Sequence, residues 1–330
     1  AVAAVLVSTF FTTFTGASGV TILALGGLLF FILTDSGKYS ERFSTGLLTG
    51  SGSIGLLFPP SLAIILYGAV AQVNISHLFL GGILPGLLFV IAMSVTGVYA
   101  AVRNKVDTVP FDWKEAWAAL RDAIWEVLLP VVIIAFYFGG ITTLVETSAI
   151  AVVYAFLVET VIHREISIRR LPEVILKSVP IIGGVLIILA AARGLSSYII
   201  DVEIPTQLSA WVEANISSRF VFLVLLNLAL LITGSIMDLY SAILVVAPLV
   251  IPLGAIFGVD PVHMGVIFLA NLGLGFITPP VGLNLFLASY RFEQPLLRIY
   301  RSVLPFFALQ VVILLIVTYV PWFSTVLVPG

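Results

Sequence analysis

The sequence predicts an all-α integral membrane protein, and three observations lead to that fold class. The chain has 330 residues, of which 60% are hydrophobic and only 10% are charged. Soluble domains carry about 25% charged residues, so this chain lacks the charge to cover a water-facing surface. Apolar runs of about 20 residues recur from end to end, as helical spans require. The strand-length alternation that is typical of an outer-membrane barrel is absent.

Charge and cysteine content exclude further kinds of site. The net charge of −2 comes without a basic tract, so we expect no nucleic-acid partner. Membrane lipids are expected to surround the apolar spans. The absence of cysteine excludes disulfides and thiolate chemistry. The opening AVAAVLVSTFF has no basic n-region, so we expect no signal peptide there.

The order of apolar runs and breaks predicts the elements along the chain. Two short apolar arms around TGASG come first, and two more lie later around TGSIMDLYS. Each pair precedes a long run broken at a Pro-Pro sequence, followed by a span. The predicted ranges are 1–14 and 20–34 (arms), 42–73 (broken run), 77–102 (span), 111–123 (interfacial helix), 124–140, 143–162 and 178–200 (spans), 201–218 (polar segment), 219–233 and 241–253 (arms), 262–290 (broken run) and 302–320 (span).

The four arms predict two re-entrant helical hairpins. Arms of roughly 12 to 15 residues are too short to cross a hydrocarbon core of about 30 Å. Each pair of arms would therefore enter and leave on one side of the membrane. The alternative is a pair of short, tilted spans at each place.

Proline landmarks predict that the two sets of elements form an internal repeat. The segments GLLFPPS at 55–61 and GFITPPV at 275–281 are 220 residues apart (275 − 55), as are Pro85 and Pro305. Five predicted crossings separate the hairpins; because five is odd, the hairpins enter from opposite faces and the repeat is inverted. Three spans precede the second hairpin and none precedes the first, so we expect about three N-terminal spans to be missing from this chain.

Basic residues predict the orientation independently. On this topology all but two of the 15 Lys and Arg residues fall on one face, the exceptions being Arg193 and Arg219. The positive-inside rule makes that face cytoplasmic. The loops near Lys38, Arg103, Arg169 and Arg298 are then cytoplasmic, and those near Asn74, Asp201 and Asp260 are periplasmic.

The two broken transmembrane helices predict cation sites. Unwound backbone at membrane depth is tolerated only where protein buries it or where it lines a cavity. It leaves carbonyl oxygens free for a cation and helix N-termini free for an anion. Oxygen ligands without a carboxylate cluster favour Na⁺ over a divalent ion. The predicted ligands are Thr15, Gly16, Ser18, Ser51, Ser53 and Gly55 in one site and Gly234, Asp238, Asn271 and Thr278 in the other. The alternative is that the prolines only make packing kinks.

An anion site is predicted between the two hairpin tips, near the bilayer midplane. Ionisable residues inside apolar runs are functional candidates by default. Arg193 either snorkels to the outer interface or faces this site, whereas Glu146 and Asp238 could equally cap helices. The candidate residues of the anion site are Ser18, Pro60, Arg193, Ser235, Asp238 and Pro280.

The sequence does not predict an enzyme. GSGSIG at 50–55 matches the dinucleotide fingerprint, but no strand precedes it and two prolines follow, so we expect no organic cofactor. An intramembrane enzyme needs a nucleophile–base pair or paired acids, and Glu146 and Asp238 have no such neighbour in sequence. An ion channel also fits poorly, since two opposed re-entrant loops would suit a pore only with a clear polar lining.

Several of these segments resemble one known family. FTGASGVTILALGG, LLTGSGSIGLLFPPSLAIILYG, GSIMDLYSAILVVAPLVIPL and GVDPVHMGVIFLANLGLGFITPPVGLNLFLAS are similar to the large membrane subunit (DctM-like) of tripartite ATP-independent periplasmic (TRAP) transporters. The resemblance runs from residue 1 to roughly residue 310. Family members commonly have a Ser-rich first tip, where this chain has TGASG.

The resemblance implies an elevator-type Na⁺ symporter in the bacterial inner membrane. Such a protein imports an organic acid anion that a soluble periplasmic binding protein (DctP-like) delivers, and it works with a small four-span membrane subunit (DctQ-like). The alternative is a dicarboxylate/Na⁺ symporter of similar inverted architecture that needs no binding protein. On this interpretation 1–73 and 219–290 form the transport domain, 74–218 the scaffold and connecting spans, and 291–330 the C-terminal span.

Overall fold

The regular structure of the described chain is helical. The computed structural model of the protein describes residues 1–36, 39–106 and 112–329. Within these ranges the chain forms sixteen α-helices, short 3₁₀ and π turns, and no β-strand. Six described segments are long and apolar enough to cross a membrane, and one bent pair of helices is a seventh candidate. The predicted all-α class is confirmed; the predictions for Lys38 and for Phe111 lie outside the described residues.

The helices follow the predicted order of arms, broken runs and spans. The polar segment 201–218, for which we predicted no element, contains one additional helix. In chain order they are α1 (Val2–Thr15), α2 (Ser18–Phe31), α3 (Glu41–Ser51), α4 (Leu62–Ala71), α5 (Ile75–Arg103), α6 (Trp113–Asp122), α7 (Ile124–Phe138), α8 (Leu144–Leu157), α9 (Leu171–Asp201), α10 (Ile204–Asn215), α11 (Arg219–Ile236), α12 (Leu239–Ile256), α13 (Pro261–Gly275), α14 (Leu283–Arg291), α15 (Leu296–Tyr319) and α16 (Trp322–Thr325).

The arms of the second hairpin are longer than predicted. α11 and α12 have 18 residues each. Helical structure in α11 continues past Thr233, where the sequence predicted an end, and α12 extends beyond both ends of the predicted range 241–253. Eighteen residues span roughly 27 Å at 1.5 Å per residue. Arm length alone therefore does not distinguish a re-entrant hairpin from two tilted spans.

Both broken runs lose helical structure before their prolines. α3 ends at Ser51, and a 3₁₀ turn at Ile54–Leu57 precedes Pro59 and Pro60. The bend across this break is 46°. Proline removes a backbone donor and pushes the preceding residue out of the helical region, so neither run can continue as one helix. Both Pro-Pro bonds are cis.

The two repeats interlock through their helices. The second arm of the first hairpin, α2, packs against α14 of the second broken run, and α12 packs against α4 of the first. Each first arm packs on the broken run of its own repeat, α1 on the 3₁₀ turn and α11 on α13. An apolar cluster lies at the α2–α14 contact and includes residues of α15. Its buried members are Ile22, Ile277, Leu285, Ala288, Ile299 and Val303.

The chain divides into two compact units, Ala1–Asp107 with Leu189–Gly330, and Thr108–Ile188. In the second unit α7 and α8 pack together, and the Tyr154 hydroxyl donates to the Trp125 carbonyl at 2.8 Å. Glu146 forms a capping box with Thr143 at the start of α8, so it has the capping role that we considered. The predicted division into transport and scaffold domains stays a prediction.

Candidate functional site

The tips of the two hairpins line one cavity of about 240 Å³. Residues 16–20 contribute from the first tip and 238–240 from the second, together with Phe276, Leu283 and Leu287 of the second broken run. The first tip is tight because Gly16 adopts a left-handed conformation, with φ of 64°, that ends α1 and reverses the chain within two residues. Ser18, Asp238 and Tyr240 are the polar residues of the lining, which is otherwise mostly apolar.

Two helix N-termini adjoin this cavity. α2 begins at Ser18 and α12 at Leu239, and both residues line it. A helix N-terminus carries a partial positive charge and unpaired backbone N–H groups. Two such ends at one cavity favour an anionic ligand there.

The two N-termini differ in how they are capped. The Asp238 carboxylate caps α12: Oδ1 accepts from the N–H groups of Tyr240 (2.9 Å) and Ser241 (3.1 Å), and Oδ2 accepts from the Ser241 hydroxyl. The N-cap of α2 is Ala17, which makes no side-chain capping bond. The first turn of α2 is therefore the end with backbone donors left for a ligand.

A buried amide supports the first tip. The Ser18 hydroxyl donates to Asn284 Oδ1 of α14 at 2.8 Å, and both residues are buried. Among the described residues, Asn284 Nδ2 has no hydrogen-bond partner. Our sequence reasoning missed Asn284, although it lies four residues after Pro280 in a segment that we had singled out.

At the first break, side chains from neighbouring helices donate to backbone carbonyls. Thr12 of α1 donates to the Gly52 carbonyl at 2.8 Å, Thr13 to that of Gly55 at 3.3 Å, and Gln310 of α15 to that of Gly50 at 2.8 Å. The hydrogen bonds from the first hairpin to the break thus come from Thr12 and Thr13, in the last turn of α1. The predicted ligand Thr15 turns its hydroxyl back to the Phe11 carbonyl at 3.0 Å.

Four predicted residues of the breaks are buried: Ser51, Ser53 and Gly55 of the first and Asn271 of the second. Ser51 donates weakly to the Leu48 carbonyl at 3.4 Å, and Ser53 donates to the Gly273 carbonyl at 2.8 Å. Positions 53 and 273 differ by 220, the repeat offset, so equivalent points of the two breaks touch each other. A cavity of about 10 Å³ beside them is lined by Ser53, Gly273 and Gln310.

At the second break the hairpin and the broken run approach through backbone. A β-carbon on Gly275 would lie 2.5 Å from the Gly234 Cα, and the Gly282 N–H donates to the Ser235 carbonyl at 2.8 Å. The Thr278 hydroxyl donates to the Leu274 carbonyl at 2.8 Å. The structure therefore brings together the two segments that we predicted to form the second cation site.

Asn271 holds an unpartnered oxygen in this region. Its Nδ2 donates to Asn227 Oδ1 at 2.7 Å and to the Ile267 carbonyl at 2.8 Å. Its Oδ1 is buried and has no donor among the described residues. A buried acceptor without a donor is rare in proteins, and a cation would satisfy it. Asn227 and Gln310 were missed, although each is a lone polar residue in an apolar run.

The other predicted anion-site residues do not line the cavity between the tips. Arg193 is exposed on α9, three residues before Ser196, which donates to the Leu244 carbonyl of α12 at 2.6 Å. Among the described residues, Arg193 and Asp238 form no ion pair. The Pro280 carbonyl accepts from the Tyr300 hydroxyl at 2.8 Å, and Pro60 precedes the Ser61 cap of α4.

Comparisons with known proteins agree on one family. A family model described as "Tripartite ATP-independent periplasmic transporter, DctM component" matches residues 1–323. The C4-dicarboxylate TRAP transporter large permease protein DctM of Pseudomonas aeruginosa is 34% identical over 328 residues, which cover 99% of this chain and 77% of that protein.

Two further relatives have other names. The sialic acid TRAP transporter large permease protein SiaM of Vibrio cholerae is 31% identical over 317 residues, covering 95% of this chain and 74% of that protein. The isethionate TRAP transporter permease protein DctMQ of Oleidesulfovibrio alaskensis is 33% identical over 314 residues, covering 94% of this chain and 49% of that protein.

Proposed function

The chain belongs to the DctM family of TRAP transporter large permeases, and we propose that it imports an organic acid anion in symport with Na⁺. The family consists of membrane-embedded secondary transporters of organic acids, and the resemblance found in the sequence is confirmed. The names of the three relatives denote different organic anions. The substrate class of this chain is therefore proposed as a small organic acid.

One observation carries the proposal: the N-termini of α2 and α12 both line the cavity between the hairpin tips. A substrate carboxylate would accept hydrogen bonds from the uncapped first turn of α2, near Ser18. The Asp238 carboxylate at the other tip would repel a second anionic group, and a cation bound at the second break, beside this hairpin, would reduce that repulsion. This arrangement gives a physical reason for coupling anion binding to Na⁺.

Two Na⁺ sites are proposed at the breaks. The hydroxyls of Ser51 and Thr278 donate to carbonyls, which leaves their oxygen lone pairs available to a cation. The unpartnered Oδ1 of Asn271 adds one neutral oxygen at the second break. Neutral oxygens favour Na⁺, because a divalent ion of higher charge is usually held by carboxylates.

We further propose that the hairpins are re-entrant and that the repeats move as an elevator. Hairpins entering from opposite faces can bring both tips to one cavity only if they stop inside the membrane. The shared cavity at residues 16–20 and 238–240 supports this arrangement. The proposed partners are a small four-span membrane subunit and a periplasmic binding protein, and the proposed location is the bacterial inner membrane.

An uptake assay tests the function. The full protein would be reconstituted in liposomes with a small four-span subunit and a periplasmic binding protein from the same organism, and radiolabelled carboxylates would be supplied outside with Na⁺ or with K⁺. We expect uptake of at least one carboxylate that requires both Na⁺ and the binding protein. Equal uptake in K⁺ would contradict symport with Na⁺, and uptake without the binding protein would favour the binding-protein-independent symporter.

A further inference from the structure

We propose that α5 carries a binding site for an anionic phospholipid, with the headgroup at Arg42 and Arg103 and an acyl chain along α5. The site is separate from the cavity between the hairpin tips and does not depend on the transported substrate. Two adjoining cavities support it: a polar cavity, named for Ser40, Arg42, Arg103 and Asn104 although apolar residues line it too, and an apolar cavity.

The polar cavity has a volume of about 440 Å³ and lies between α3, α5 and α15. Its described lining includes Arg42, Arg103, Asn104 and Ser40, and no acidic residue. The neighbouring Glu41 is not part of the lining. A pocket with two arginines and no carboxylate favours a phosphate group, which guanidinium binds with paired N–H donors.

One arginine is held in position by backbone. Arg42 Nη2 donates to the Arg301 carbonyl of α15 at 3.1 Å. A guanidinium has five N–H donors, so this bond leaves others for a ligand. Arg103 is the last residue of α5, on the face that the distribution of basic residues predicts to be cytoplasmic. Basic pockets between helices at that level are typical lipid-headgroup sites.

The apolar cavity adjoins the polar one along α5, on the side away from Arg103. The predicted orientation places that side toward the membrane centre. It has a volume of about 520 Å³, and its lining includes Ile91, Val95 and Val98 of α5 and Leu6 of α1. Tyr99 lines both cavities. Residues 91, 95, 99 and 103 are spaced by four, so they lie along one face of the helix.

The length of this face matches one leaflet. From Ile91 to Tyr99 the helix rises roughly 12 Å, compared with about 15 Å for half of the hydrocarbon core. Tyrosine is typical of the membrane–water boundary, where its ring is apolar and its hydroxyl is hydrated. An exposed apolar helix face alone would mean only contact with bulk lipid. The arginine pocket at its end is what predicts a preferred, anionic lipid.

Native mass spectrometry of the full purified protein tests the site. The protein in detergent would be titrated with phosphatidylglycerol and, separately, with phosphatidylcholine. We expect one molecule of phosphatidylglycerol to be retained preferentially. In the double variant Arg42→Ala/Arg103→Ala this affinity should fall by about twenty-five-fold, the product of a contribution of roughly fivefold from each arginine near anionic lipid.

Matched variants separate the site from general charge. Arg298→Ala/Arg301→Ala removes the same charge from the same predicted face outside the cavity lining and should leave the affinity unchanged. Val95→Trp fills the apolar cavity without a change of charge and should weaken retention. If the alanine pair fails to fold, Arg42→Lys/Arg103→Lys and Val95→Trp serve, because lysine keeps the charge and should bind more weakly than arginine.

Three outcomes would overturn the proposal. One is equal retention of phosphatidylglycerol by the wild type and by the Arg42→Ala/Arg103→Ala variant. Another is equal retention of the two lipids by the wild type, which would indicate bulk lipid or coverage of this face by other protein. The third is displacement of phosphatidylglycerol by an equal concentration of inorganic phosphate, which would indicate a site for a free anion.

Discussion

At the scale of single residues, the unpartnered Asn271 Oδ1 is the sharpest marker of a cation site. Replacing Asn271 with Leu removes this oxygen together with the bond to Asn227. We expect the Na⁺ concentration for half-maximal uptake to rise about tenfold, the effect of losing one ligand interaction of about 1.4 kcal/mol. Uptake at varied Na⁺ measures it.

Asn227→Leu is the matched control for that variant. It breaks the same bond between the two amides but leaves the Asn271 oxygen in place. The Na⁺ dependence should then stay near that of the wild type. If both variants shift the Na⁺ dependence equally, the amide pair has a packing role and the Asn271 oxygen is not a ligand.

Hydroxyls at the two breaks give an independent test of the paired sites. Ser51→Ala and Thr278→Val each remove one oxygen while backbone ligands remain. We expect each variant to fold and to need several times more Na⁺ for half-maximal uptake. An unchanged Na⁺ requirement in both variants would mean that the sites lie elsewhere.

Arg193 tests two roles that predict different substitution patterns. Its exposed position on α9 fits an anchor at the interface, and its position three residues before Ser196, which donates to the Leu244 carbonyl of α12, fits a role near the second hairpin. Lysine keeps the charge and can snorkel, but it cannot make a bidentate contact. If Arg193 is an anchor, Arg193→Lys transports normally; loss of uptake by a folded, membrane-inserted Lys variant would contradict that role.

At the scale of elements, each hairpin meets its broken run at a glycine. A β-carbon on Gly55 would lie 2.3 Å from the Thr9 carbonyl oxygen, and one on Gly275 would lie 2.5 Å from the Gly234 Cα. Since the obstacle is backbone in both cases, it cannot turn aside as a flexible side chain would. The two glycines are 220 residues apart (275 − 55), so both repeats place a glycine where the hairpin meets the break.

Alanine at these glycines should therefore separate the hairpins from the breaks. We expect Gly55→Ala and Gly275→Ala each to destabilise the protein by about 1–3 kcal/mol through overpacking. Melting in detergent, followed by the loss of the monodisperse peak in size-exclusion chromatography, measures the effect. Gly184→Ala is the control, because no atom of the residues that the structure describes lies within 4 Å of its added carbon. Alanine there should leave stability unchanged or raise it, since it favours a helix over glycine.

An element could be predicted from the sequence where neighbouring residues determine it, and could not where a tertiary contact does. The breaks were predictable because proline and glycine act on the backbone next to them. The C-terminal end of α11 and the existence of α10 were not predictable, because Thr-Gly and a polar segment are both compatible with a helix that has tertiary contacts. Asn284 and Gln310 act across more than 200 residues of chain, on Ser18 and on the Gly50 carbonyl. Such pairings require the packing of the repeats, which an apolar pattern does not specify.

At the scale of the whole molecule, the interlocking of the repeats constrains how the protein can move. α2 packs on α14 and α12 packs on α4, so the hairpins and the broken runs share one core. Tightly packed interiors move as rigid bodies more readily than they deform. We expect a short bifunctional thiol reagent to crosslink Ser18→Cys and Asn284→Cys in this cysteine-free chain, because the native side chains at these positions are in contact. Absence of the crosslink, with both cysteines open to a monofunctional reagent, would contradict the packing of α2 on α14.

The orientation of the two repeats depends on whether an odd number of crossings separates them, and α9 is the decisive crossing. Its 31 residues span roughly 46 Å, more than the core of about 30 Å requires. Arg169 and Gln207 lie outside its two ends, and both side chains are exposed. Single cysteines at these positions therefore report on the two sides of one helix.

We expect an impermeant maleimide applied to intact cells to label Gln207→Cys, and to label Arg169→Cys only after the membrane is permeabilised. The reason is the positive-inside rule, since Arg164, Arg169 and Arg170 precede α9 and Lys177 lies near its start. Labelling of both positions from outside would place the ends of α9 on one side and remove one crossing. The hairpins would then enter from the same face, and two tips that approach from one face could not alternately close a shared cavity from opposite sides of the membrane.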